Sequence, residues 1–520
     1  MYEPAPSSTF AAYREGAVGR ESQATLLDQV IQEAVGDEQA SPSSPGENVS
    51  KFSQKAALAY WLGDIRSQVQ EVGYLAWQRD ATRHLSACVA EIDHLVNSLL
   101  NEVLHAPRFQ KLEASWRGLA MVVRAVNNRQ QVIVRVLNAS WRDVQRDFER
   151  ASEFDNSQIF KKIYEEEFGM PGGRPFSVLI GDYEVHPRPT AEHPFDDVAI
   201  LGHMAGVAAA AFCPFVCGAS PSMFGVNDFL ELQNTKDLAP GFLLPEFVKW
   251  RSLRQQEDAR FVGIAMPKTL MRRPYESRDT LGFCFKEKLR GDNLGNYLWG
   301  NAAYAWGTVL IRSFEQTGWL ADIRGTERNQ SSGGLVSSLP SISFGTDRSG
   351  VALRSCTDLI VTDQQEAELA KLGFLALCQC YDTDFAAFYS TQSIQKPARY
   401  DSAVATANAN ISSMLQYMLC ASRFSHYLKV IARDIVGAAT EAEELETFLN
   451  NWIKRYVTPD ERARPETKAR LPLRQAQVNV VKDPSKPGSY QCTFSLLPHY
   501  QLDDLSTSIR LQTSLDRARQ

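Results

Sequence analysis

Several things are scarce in this chain, and each absence removes a class of function. Across 520 residues no apolar run reaches the roughly 18 positions that a membrane-spanning helix needs. The start, MYEPAPSSTFAAYREG, lacks a basic stretch followed by an apolar one, so no secretory signal is expected. Positive charge is not in excess: 55 Lys and Arg stand against 61 Asp and Glu, a formal net charge of −6, which argues against a nucleic-acid binder. No GxxxxGK[ST] phosphate loop, GxGxxG, HExxH or GxSxG occurs, so the common nucleotide, zinc-protease and serine-hydrolase signatures are missing. The 9 cysteines are scattered, mostly in apolar surroundings, and read as reduced buried thiols of a cytoplasmic protein. The pairs Cys213/Cys217 and Cys378/Cys380 lack the four convergent ligands of a zinc site. No cofactor or metal is expected.

What is present is an ordinary globular composition, 22% charged and 44% hydrophobic. At about 150 residues per domain, a chain of this length makes two to four packed units. Residues 1–50 read as an extension that ends in a Pro/Ser/Gly linker, ASPSSPGENVS. Within it Leu26, Leu27, Val30 and Ile31 share one face of a short amphipathic helix, marginal alone in water and therefore suited to docking. Residues 51–380 read as a body and 381–520 as a separate C-terminal part.

In the body, a helical stripe runs through Leu95, Val96, Leu99, Leu100, Val103 and Leu104 and stops at Pro107. QKLEASWRGLAMVVRAV follows, where Phe109, Leu112, Trp116, Leu119, Val123 and Val126 are spaced 3, 4, 3, 4, 3, again one helical face. Trp116 and this stripe are expected to pack as core. Gly118 is expected to admit a close neighbour, with Arg117 free for a hydrogen-bonded pair. QVIVRVL (131–137) is a strand candidate. Further strands are expected at FSVLIGDYEV (176–185), FCPFVCGAS and FVGIAMP (261–267), separated by helices, which argues for an α/β layer with a largely parallel sheet. The C-terminus changes character. Alternation through Val478 and Val480, through Phe494 and Leu496, and through Ile509 and Leu511 predicts an antiparallel meander whose edges other chains can pair with. Proline at Val480 or Ile509 is expected to break its ladder. The fold class expected is therefore α/β (α+β): a helix-rich body, a central mixed sheet and a C-terminal meander that joins an inter-subunit sheet.

Chemistry is thin. Asp182 and Glu184 fall at a strand end, and Ser220 follows a buried strand, so a hydrolase-like site near Asp182 and Ser220 is the enzymatic alternative. Pro221 directly after Ser220, and the missing second glycine, favour a plain helix start at Ser222. His203 and His426 read as core or rim. EAEELE supplies Glu441, Glu443, Glu444 and Glu446, either a solvated helix face or a charged docking face.

Three segments together carry a resemblance. NEVLHAPRFQKLEASWRGLAMVV (101–123) resembles the hallmark of a known family, SVLIGDYEV with AAAAFCPFVCGASPSMFG resembles its α/β core, and PGSYQCTFSLLPHYQLDDLSTSIRL resembles its C-terminal end. The family is the large subunit of the contractile sheath of bacterial type VI secretion systems (TssC, VipB, ImpC, EvpB). The resemblance implies a structural, non-enzymatic cytoplasmic protein paired with the small sheath subunit (TssB/VipA). It further implies stacked six-fold rings around an inner tube of Hcp, a baseplate, contraction that drives tube and spike into a target cell, and recycling by the AAA+ unfoldase ClpV through the N-terminal helix. The expected assignments are Leu26, Leu27, Val30 and Ile31 for the unfoldase, and Glu441, Glu443, Glu444 and Glu446 for the tube. Val478, Val480, Phe494, Leu496, Ile509 and Leu511 are assigned to inter-subunit strands, and Leu112, Trp116, Arg117 and Gly118 to the motif core. Direct membrane insertion and nucleic-acid binding are not implied. A soluble secretion adaptor is the remaining alternative.

Overall fold

The computed structural model describes residues 74–515, except 171, 192, 236, 276–282, 284, 290–295, 327–331, 338, 344–352, 381–382, 384, 437–441, 461, 483–489 and 500–508. Leu26, Leu27, Val30, Ile31 and Glu441 therefore lie outside the described residues. The chain divides into two compact units, one of residues 1–99 with 278–285, the other of residues 100–277 with 286–520.

In chain order the helices are α1 (Tyr74–Leu104), α2 (Pro107–Ala125), α3 (Trp141–Arg150), α4 (Asp197–Ala210), α5 (Val248–Leu253), α6 (Ala302–Thr317), α7 (Asp363–Leu372), α8 (Ala403–Ser412), α9 (Leu415–Val436), α10 (Ala442–Ile453) and α11 (Pro465–Arg470). A π-helix at Lys161–Gly169 follows a short helical turn. The strands are β1 (Leu179–Val185), β2 (Phe215–Ala219), β3 (Val262–Met266), β4 (Thr269–Leu270), β5 (Trp299–Gly300), β6 (Leu335–Val336), β7 (Ile342–Ser343), β8 (Leu353–Arg354), β9 (Leu375–Gln379), β10 (Ala386–Phe388), β11 (Leu473–Lys482), β12 (Tyr490–Pro498) and β13 (Ile509–Leu515).

The central sheet has the order β1-β2-β3-β9-β10-β6. Its first four strands run parallel, and β10 and β6 add antiparallel pairs, so the sheet is mixed. Strands β2 and β3 are buried throughout because both faces are covered. Alternation divides them: Cys217 and Ile264 join the cluster with Leu201 and Ala205 of α4, while Val216 and Ala265 join Trp306 and Val309 of α6. Local signals start the helices. Ser140 and Asp143 form a capping box on α3, Thr362 and Gln365 form one on α7, and Gly373 closes α7 with positive φ.

Strand β1 carries an irregularity between Ile180 and Glu184. Asn301, the cap of α6, fills the gap: its Nδ2 donates to the carbonyls of Gly181 and Tyr183 at 3.3 and 3.1 Å, and its Oδ1 accepts from the Ala303 amide at 2.9 Å. The meander β11-β12-β13 is antiparallel, and Val478, Val480, Cys492, Phe494 and Leu496 are all buried. Leu445, Leu449 and Ile453 of α10 belong to the same core.

Two expectations need correction. QVIVRVL is no strand in this chain. Residues 133–137 are without assigned secondary structure, with Ile133, Val134, Val136 and Leu137 exposed and, among the described residues, no ladder partner. Helix α2 also turns the other way. Its buried residues are the small-residue row Ala114, Gly118 and Val122, while Leu112 is 57% and Trp116 65% exposed. A β-carbon on Gly118 would clash with the ring of Tyr304 on α6, its Cδ2, Cε2 and Cγ atoms being too close to admit it. Alanine gains about 1 kcal/mol of helix propensity over glycine, whereas overpacking costs about 1–3 kcal/mol. Gly118→Ala is therefore expected to lower the denaturation midpoint in the native background and to be neutral or stabilising beside Tyr304→Ala. Equal shifts in both backgrounds would contradict the packing.

Candidate functional site

Chemistry at the strand ends is closed down. The Ser220 hydroxyl is itself the cap of the short helix Pro221–Phe224, accepting from the Ser222 amide, which corrects the expectation that Ser222 begins it. Asp182 does not face Ser220's helix start but accepts from Ser115 of α2, with Tyr304 also hydrogen-bonded to it. Burial, with Asp182 alongside, pushes the Tyr304 phenol up. The crevice between Glu184, Gly218, Lys268 and Asn301 holds only about 10 Å³, on the order of one water. Lys268 and Glu184 pair across it at 2.9 Å. His426 is core: its Nε2 lies 2.9 Å from the Ala211 carbonyl, and burial depresses its pKa to about 3. His203 is an exposed ring stacked on Phe148. Cys213, Cys217 and Cys378 are buried free thiols, while Cys380 is half-buried.

What the structure builds with care is the seating of α2. Arg272 reaches Glu287 through two bonds of 2.6 and 3.0 Å and Glu113 of α2 at 2.8 Å. Both Arg272 and Glu287 are buried. Burial alone would raise the Glu287 pKa, but the Arg272 guanidinium, the Tyr275 amide and His105 outweigh it and hold the carboxyl low. Arg117 donates to Glu113 at 2.7 Å and to the Tyr275 hydroxyl at 3.1 Å. Such a fork of charge-assisted bonds fixes rotation as well as position. With Gly118 against Tyr304 and Ser115 on Asp182, α2 is held along one face.

The opposite face is apolar and open. Phe109, Leu112, Trp116 and Val123 are exposed on α2. Along α1 the exposed apolar residues are Val89, Ile92, Leu95, Val96, Leu99, Leu100 and Val103, with Leu99 at 62%. The 133–137 segment adds Val136 at 66%. Only Arg135 turns back, pairing with Glu167 and lying over Phe176. Scattered exposed apolar residues are normal, but continuous rows on two helices and an unpaired extended segment mark binding surface.

At the C-terminal meander, one edge is already used. Asn450 of α10 accepts from the Val478 amide at 3.0 Å and donates to the Val478 carbonyl at 2.7 Å, while Glu446 accepts from the Val480 amide at 2.9 Å. Side chains of a helix thus satisfy the outer edge of β11. This corrects two expectations: Glu446 is engaged as an edge cap, and the Val480 amide donates to Glu446, so proline there breaks that cap. Glu443 and Glu444 remain exposed on α10. Phe494 and Leu496 pair with Leu511 and Ile509 through the β12–β13 ladder.

The described surface thus carries exposed apolar rows on α1 and on α2, and the strand-end crevice is small. Residues 86–395 match the VipB family model for the tail sheath N-terminal domain (EvpB/VC_A0108), and residues 404–515 match the model for its tail sheath gpW/gp25-like domain. The chain is also 41% identical over 446 residues to the type VI secretion system sheath protein TssC1 of Pseudomonas aeruginosa, covering 85% of this chain and 88% of that protein. The chain belongs to the VipB family, the large subunits of the type VI secretion sheath. Among the described residues no helix is long and apolar enough to cross a membrane.

Proposed function

We propose that this chain is the structural large subunit of a contractile sheath, without catalytic or cofactor chemistry, and that it works in the bacterial cytoplasm. It pairs with the small sheath subunit (TssB/VipA), and the pairs polymerise as stacked six-fold rings around the Hcp tube. Assembly begins on a baseplate, and contraction drives tube and spike into a target cell. The observation that carries this reading is the outward apolar row of α2, Leu112, Trp116 and Val123, on a helix whose other face is fully engaged. Covering apolar surface contributes about 25 cal/mol per Å², so rows of this kind are a reserve of association energy. The chain is organised in three parts, 1–50 as extension, 51–380 as body and 381–520 as the inner part with inter-subunit strands, although β10 (Ala386–Phe388) still completes the central sheet of the body. Because α10 caps β11, an added strand from a neighbour pairs at β13, through the outward backbone of Arg510 and Gln512, since that of Ile509 and Leu511 faces β12. Glu443 and Glu444 face the tube, and Leu26, Leu27, Val30 and Ile31 are gripped by the unfoldase ClpV.

Co-expression with the small subunit is expected to give long hollow tubules in negative-stain microscopy. Trp116→Asp is expected to leave the isolated chain's stability within about 0.5 kcal/mol, since the side chain is exposed, yet to abolish co-purification. A Trp116→Asp chain that still forms tubules would remove α2 from the interface, and a stable wild-type monomer beside the small subunit would overturn the reading. On the same tubules, Leu27→Asp with Ile31→Asp is expected to abolish unfoldase binding, and Glu443→Lys with Glu444→Lys to loosen the tube. Unchanged behaviour in either pair removes that assignment.

A further inference from the structure

Beside the start of α4 lies a cluster that the sheath reading does not use. His186 follows β1, His193 sits three residues before the cap of α4, and Asp197 is the first residue of that helix. A turn folds the intervening loop back: the Thr190 amide donates to the His193 carbonyl at 2.8 Å, and the His193 amide to the Thr190 hydroxyl at 3.1 Å. The two imidazoles stack with centroids 4.0 Å apart. Nδ1 of His186 lies 3.2 Å from Oδ2 of Asp197, and Nε2 of His193 lies 2.7 and 2.9 Å from its two oxygens. The carboxylate side chain is fully buried, whereas the two imidazoles are 21% and 20% exposed.

We propose that His186, His193 and Asp197 form a binding site for a divalent transition-metal ion of the zinc type. Two neutral imidazoles and one carboxylate are a donor set that such ions favour, and one ligand atom from each residue lies within 4.8 Å of the others. Zinc holds nitrogen and oxygen at about 2.0–2.2 Å, so tetrahedral neighbours stand roughly 3.4 Å apart. The imidazole nitrogens already stand 2.7 to 3.2 Å from the carboxylate oxygens, close to that spacing. The carboxylate is already oriented from behind, by the Trp141 indole at 2.7 Å and the His186 amide at 2.8 Å, the kind of support that ligating groups receive in metal sites. The exposed edges of the imidazoles leave the fourth position to water. A bound ion replaces the ring protons now shared with Asp197 and clips the β1–α4 loop to α4 and, through Trp141, to α3.

The test uses the purified full-length chain, stripped with EDTA and dialysed. Titration with Zn2+ by calorimetry is expected to show one ion per chain, with a rise in melting temperature, because a ligand that binds only the folded state stabilises it. Co2+ is expected to give the intense visible absorption of a tetrahedral site. His193→Asn keeps a donor for Asp197 but removes the ligand, and it abolishes both signals, as does His186→Asn. Trp141→Phe keeps all three ligands and weakens affinity by about 10- to 100-fold. Circular dichroism checks that each variant folds, and Trp141→Phe carries the test should a histidine variant fail. No binding by the wild-type chain overturns the site, as does zinc binding that all three variants leave unchanged.

Discussion

The crossing of α2 over α6 is the contact on which the rest depends. A glycine at 118 lets the Tyr304 ring sit where a side chain would be, and the small-residue row of Ala114, Gly118 and Val122 brings the two helices close. Close approach by itself would permit rotation. The Glu113–Arg272–Glu287 pairs, the Arg117 bonds and the Ser115–Asp182 contact remove that freedom. A helix with bulky residues on one side and small ones on the other normally buries the bulky side. Here the small side is the buried one, and the Arg272 ion pairs lie on it.

The single chain leaves apolar surface uncovered in three places. Leu112 and Trp116 on α2, the row from Val89 to Val103 on α1, and the extended residues 133–137 are all in water. Meanwhile the places where an α/β protein ordinarily does chemistry are filled: Asn301 closes the irregular strand β1, Lys268 and Glu184 pair across the strand ends, and Ser220 is spent on a cap. At the C-terminal end α10 does the equivalent service for β11, through Asn450 and Glu446. A sheath subunit assembles with neighbours, and the division of polar bonds inward and apolar rows outward leaves surface for them.

Much of this was legible in the sequence because it is encoded locally. Alternation marked the meander, apolar runs marked β1, β2 and β3, and Ser140 announced the start of α3. The failures have a common physical origin. Periodicity shows that Leu112 and Trp116 share a face but not whether that face meets the chain's own core or another molecule. QVIVRVL has strand composition, yet a strand exists only where a ladder partner does. The engagement of Glu446 and Val480 depends on α10 lying beside β11, which spacing cannot reveal. His186, His193 and Asp197 escaped notice because a folded-back loop, not a helical or strand repeat, brings them together.

Hydrogen–deuterium exchange of residues 133–137 tests the central claim most directly. Among the described residues no backbone bond engages the amides of Ile133, Val134, Arg135, Val136 or Leu137, so they should exchange at once in the isolated chain. If the outward apolar surfaces are assembly surfaces, these amides become protected when the chain is joined to the small sheath subunit in tubules. Exchange that stays equally fast in intact tubules would contradict the account.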